Sequence, residues 1–160
     1  SSVIVSNAAS VVHDPEIYFF GLLMSRMHMV WVRTVAGRLR TDIRYTSGLC
    51  YNTFPFPHVS QGDQLLLESG VLKIFEQRDR YPEKSLAQLY DPAEMPILLK
   101  RAHEELDLLA EACFRSKSFN DDNERLTFLF QRFRDRHAHY SEWDRANDRF
   151  DKINRAATRK

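Results

Sequence analysis

The block Phe54-Pro55-Phe56-Pro57 constrains this chain more than any other four residues. Two prolines fix their own φ and remove two backbone donors, so the block neither continues a β-ladder nor sits inside a helix. It divides the 160 residues into a short mixed part, 1–57, and a longer part, 58–160, that reads as helical. Before the block, Val3–Val12 alternates loosely and is rich in Val and Ile, which predicts a strand. A helix is predicted from about Tyr18 to Ala36, where Leu22, Leu23, Arg26, Met29, Val30 and Arg33 fall at three- and four-residue spacings. Gly37 is its natural stop. Arg44–Tyr51 predicts a second strand, with Tyr45 and Leu49 on one face and Arg44 and Thr46 on the other.

After the block, Gln64–Arg80 carries an apolar stripe of Leu67, Val71, Ile74 and Phe75, ended by Tyr81-Pro82. Asp91-Pro92-Ala93-Glu94 is a helix-start signature, although Pro96 allows the regular helix to begin only there. Leu99, Ala102, Leu106, Leu109 and Cys113 then form one apolar face. Asn120–Asn123 opens a further helix with Leu126, Leu129, Phe130 and Phe133. Trp143, Ala146, Phe150, Ile153 and Ala157 repeat at 3, 4, 3, 4, a seam that packs on the bundle or on another chain and so offers self-association through residues 143–157. The expected fold is mainly α with a small β portion (α+β): strand–helix–strand, then a helical bundle.

With 43% apolar and 28% charged residues the chain reads as globular. Its net charge of +1 hides a division: residues 1–57 carry five Arg against three acids, while residues 58–117 are acidic overall. A phosphate-binding surface would therefore be local. Ile17–Ala36 is long enough to span a bilayer, but Arg26, His28 and Arg33 lie inside it, so it reads as a buried helix with a polar edge and no membrane partner is expected. Cys50 and Cys113 have neither metal nor redox spacing, which makes a reducing cytoplasm the default.

Catalytic chemistry is not visible. Five glycines form no phosphate loop and no cofactor fingerprint. His137 and His139 read as solvated helix histidines, Cys113 as core, and Glu104, Glu105 and Asp107 as a solvent-facing cluster; no metal site is expected. Met27, Met29, Trp31 and Tyr45 read as core, with Phe54 and Phe56 pinning the exit loop to the helical part.

Several motifs occur in a fixed order: Phe20-Gly21, Ser25-Arg26-Met27-His28-Met29-Val30-Trp31, Gly37-Arg38-Leu39, Arg44-Tyr45-Thr46 and Asn52-Thr53-Phe54-Pro55-Phe56-Pro57. This order is similar to the end of the target recognition domain in MmeI-like DNA methyltransferases, single-chain restriction–modification enzymes. Ser85–Pro92, Leu98–Leu106 and Glu124–Phe130 likewise resemble that family's C-terminal helical domain. The resemblance covers roughly residues 3–135 and implies that 1–57 is the last part of a DNA reader and 58–160 its helical buttress. It implies an adenine-specific parent enzyme that uses S-adenosylmethionine. The family's cofactor and catalytic motifs lie upstream and are missing here, so a non-catalytic, C-terminal piece with no cofactor of its own is expected. Its partners would be double-stranded DNA and an upstream methyltransferase domain.

Within that frame Arg40 and Asp42 are two apart, and on an extended segment they point the same way. Arg donates twice to guanine O6 and N7 and Asp accepts from cytosine N4, so the two suit one G·C pair; the family also places a base-choosing charged pair here. Arg38, Arg44 and Ser47 are the expected backbone contacts. The competing expectation is a helical protein–protein interaction module without DNA contact.

Overall fold

Ser25 breaks the long apolar helix in two. In the computed structural model, which describes Val12, residues 15–39 and 42–138 (without the side chains of Arg38 and Leu39), α1 spans Ile17–Met24 and α2 spans Arg26–Val35. Ser25 sits between them in an extended conformation, φ −69° and ψ 157°. Its hydroxyl donates to Leu22 O at 2.7 Å, and its Oγ faces the His28 amide at 3.5 Å. One buried serine thus ends a helix and caps the next. The continuous helix expected over Tyr18–Ala36 is corrected accordingly. The Arg26 amide donates to Asp107 Oδ1 at 2.7 Å, placing a negative group on an N-terminal amide of α2.

Beyond α2, β1 (Gly37–Leu39) and β2 (Asp42–Arg44) pair antiparallel, with Gly37 opposite Arg44 and Leu39 opposite Asp42. The strand expected over Arg44–Tyr51 is also corrected. It ends at Arg44, and Ser47–Tyr51 coils into a π-helical turn closed by Asn52 N–H donating to Ser47 O at 2.9 Å. Coiling buries Cys50 completely while Leu49 stays half exposed. The strand expected over Val3–Val12 and the seam of residues 143–157 lie outside the described residues, apart from Val12.

The remaining elements are α3 (Gln61–Asp79), α4 (Leu86–Leu89), α5 (Ile97–Ala112) and α6 (residues 122–138). Ser60 caps α3, and a Ser85–Gln88 capping box opens α4. Asp91 organises a turn through Ala93 and Met95, and α5 begins only after Pro96. The architecture is mainly α with a small β portion.

Two apolar clusters hold these elements. Leu22 of α1 joins Leu67, Val71, Ile74, Leu89, Leu99, Ala102, Leu106 and Ala110 in the first. A Cβ at Gly21 would lie 3.0 Å from Val71 Cγ2 and 3.4 Å from Leu106 Cδ1, so α1 approaches α3 and α5 where a side chain is missing. The second cluster gathers Met27, Trp31, Phe54, Phe114, Phe119 and Leu129. Both draw residues from either side of the proline block.

Candidate nucleic-acid interface

Alternation along α2 separates a buried side from a polar one. Met27, His28, Trp31 and Val32 are buried, while Arg26, Met29 and Arg33 face out. Met29 therefore departs from its core expectation; it sits two residues past Met27, on a different side of the helix. Trp31 Nε1 donates to Thr53 Oγ1 at 3.1 Å, and the Thr53 hydroxyl donates onward to Leu49 O. These bonds tie α2 to the π-helical turn.

Helix α2 delivers the chain directly into the hairpin. Asp42, Ile43 and Arg44 are all exposed, as are Tyr45 and Ser47. Asp42 and Arg44 share one face of β2, so an acceptor and a cation stand together there. Arg40 and the Arg38 side chain lie outside the described residues, while Arg38 pairs with Ile43 along the backbone. Tyr45 departs from its core expectation too. The residue is 45% exposed while its hydroxyl lies 3.2 Å from His28 Nε2. His28 is 2% exposed and meets the Phe54 ring edge-on at 4.7 Å. Burial pushes its pKa down to about 4, so it is neutral near pH 7. Nothing in one sequence links His28 to Tyr45, 17 positions apart.

The other end of α2 is held by charge. Arg26 Nε donates to Asp122 at 2.8 Å, a half-exposed pair, and Arg125 binds both Glu111 at 2.6 Å and Asp122 at 3.2 Å. The hydrogen bond from Arg26 holds the Asp122 carboxyl below its usual range, while burial raises that of Asp107. Asp107 thus leaves the solvent-facing cluster, where Glu104 and Glu105 remain exposed. Arg26 meets the start of α6, and Trp31 meets Phe130 and Phe133 further along it at 5.1 and 5.6 Å, so α2 and α6 run in the same direction. The hairpin therefore springs from the end where α6 presents exposed Arg134 and Arg136.

Other chemistry finds little support among the described residues. Burial raises the Cys113 thiol to about 11, which disfavours the nucleophilic thiolate. No group of three His, Cys, Asp or Glu is placed to hold a metal ion, and no helix is long and apolar enough to cross a membrane. His137 lies with its ring 4.3 Å from Phe133; His139 is outside the described residues. His103, lowered to about 4 by burial and by nearby Arg78, shares a 2.7 Å hydrogen bond with the Tyr90 hydroxyl.

Comparison with known proteins places these elements. Residues 1–58 match the family described as MmeI, target recognition domain, and residues 61–141 match MmeI, C-terminal domain. The chain is 48% identical over 135 residues to DNA methyltransferase A of Bacillus subtilis (strain 168), an alignment covering 84% of this chain and 15% of that protein. It also resembles the solved structure of the type IIL restriction-modification enzyme MmeI in complex with DNA, at 38% identity and a TM-score of 0.75, over 78% of this chain and 17% of that one. The chain thus spans less than a fifth of the length of either relative.

Proposed function

This chain belongs to the MmeI family of target recognition and C-terminal domains, and from that premise we propose that it is the DNA-reading end and helical buttress of a restriction–modification methyltransferase. One observation carries the reading. Within the stretch matched to a recognition domain, the exposed strand β2 of the hairpin bears Asp42 and Arg44 on one face, and the hairpin grows from α2, which Met27 and Trp31 lock into the second apolar cluster. In this reading Arg40 and Asp42 address base edges, Arg with two donors for guanine and Asp with an acceptor for cytosine. Arg38, Arg44 and Ser47 hold phosphates, which orients the hairpin without specifying sequence. The complete protein would transfer a methyl group to adenine from S-adenosylmethionine held by an upstream methyltransferase domain, and no residue of this chain is assigned to that cofactor.

A second reading, an interaction module without DNA contact, draws on the exposed Leu65, Leu72, Ile97 and Leu108 of α3 and α5. Apolar docking of that kind is insensitive to salt, whereas phosphate contacts are strongly sensitive.

The test exchanges the two charges, Arg40→Asp with Asp42→Arg, in the complete methyltransferase, followed by sequencing of the methylated sites. The motif is expected to change at one base pair, because a good bidentate contact discriminates by about 1–3 kcal/mol. An unchanged motif removes Arg40 and Asp42 from base reading.

A further inference from the structure

We propose that the hydrogen bond between His28 and Tyr45 is a latch that sets the pose of the hairpin on α2, making both residues positioning residues for DNA reading. Its purpose depends on the function proposed above; its geometry does not.

The hairpin needs such a device. A two-stranded ribbon is marginal in water unless something packs on it, and Asp42, Ile43 and Arg44 are all exposed. Two attachments, one at each end, can set its pose. The outgoing end is covalent, since Gly37 follows α2 after a single residue. On the return end, Tyr45 directly follows β2 and its hydroxyl meets His28 Nε2 at 3.2 Å. The two rings lie 5.9 Å apart.

His28 suits an anchor. It sits in the first turn of α2, 2% exposed, with its ring held edge-on by Phe54. Because the phenol both donates and accepts, the bond forms with either neutral tautomer of the imidazole.

The same histidine is a poor choice for stability alone. Its Nδ1 is buried without a hydrogen-bond partner among the described residues. A buried unpaired polar atom is destabilising, and an apolar residue of similar size would avoid it. What an apolar residue would not supply is the bond from Nε2.

Four variants of this chain test the latch: Tyr45→Phe, His28→Leu, His28→Gln and the double variant Tyr45→Phe/His28→Leu. The readouts are amide hydrogen exchange at residues 42–45, global melting, and affinity for a DNA duplex carrying the site of the complete enzyme. Loss of the bond is expected to speed exchange about five- to tenfold in Tyr45→Phe and His28→Leu, with melting little changed. Glutamine, whose side-chain amide also reaches a hydroxyl, should restore slow exchange. The double variant Tyr45→Phe/His28→Leu should exchange no faster than the faster single one, as expected when one bond is removed twice. Unchanged exchange in Tyr45→Phe and His28→Leu would overturn the latch. Faster exchange with weaker duplex binding supports both the latch and its purpose. Faster exchange with unaltered duplex binding would keep the latch and remove the hairpin from DNA reading.

Discussion

Replacing Phe54 by Ala is expected to destabilise the chain by about 3–5 kcal/mol, the usual range for emptying a buried phenylalanine site. Phe54 is fully buried and stands where several parts of the chain meet. Its ring lies 4.7 Å from His28, 4.8 Å from Phe56, 6.0 Å from Phe114 and 6.5 Å from Trp31. Those neighbours come from α2, the exit loop and the turn after α5, so collapse around the void would require elements on both sides of the proline block to move together. Chemical denaturation of the two proteins measures the difference. A change below about 1 kcal/mol would contradict the placement of Phe54 at this junction, because large-to-small changes in packed cores rarely cost so little.

Removing Arg125 is expected to be comparably severe. Arg125 and Glu111 have side chains only 8% and 6% exposed, and two guanidinium nitrogens bind the same Glu111 oxygen at 2.6 and 2.7 Å. Arg125→Met leaves the Glu111 carboxylate buried without that partner, a situation that costs about 3–5 kcal/mol. The double variant Arg125→Met/Glu111→Leu should recover most of the loss, because a buried ion pair gains little over apolar residues of similar volume. Denaturation of both variants decides the matter. Equal stability of the single and double variants would mean that the pair is solvated in solution. The half-exposed Arg26–Asp122 pair beside it should be worth no more than about 1 kcal/mol.

Periodicity made the buttress legible. Leu67, Val71 and Ile74 on α3, and Leu99, Ala102 and Leu106 on α5, fall on the buried faces that their spacing predicts. The proline block announced its own anchoring role through Phe54 and Phe56. The break at Ser25 was not legible, because the apolar pattern runs through it and part of its stabilisation comes from Asp107, which accepts from the Arg26 amide 81 residues away. The end of β2 was obscured for a related reason. A strand reading of Arg44–Tyr51 and a π-helical turn both account for its apolar residues, and the fully buried Cys50 distinguishes the turn only in three dimensions. Asp42 and Arg44 read as polar ribbon positions and are exposed. The bond from His28 to Tyr45 beside the hairpin and the bond from Trp31 to Thr53 beside the π-helical turn join residues distant in sequence and carry no local signature.

The most direct measurement is the salt dependence of duplex DNA affinity for this chain, with Arg44→Gln alongside it. A hairpin that holds phosphates makes log affinity fall linearly with log salt, with a slope of about −0.9 for each phosphate contacted. Arg44→Gln should reduce the magnitude of that slope by about 1. Absent binding, or a flat slope unaffected by Arg44→Gln, would contradict DNA recognition by the hairpin.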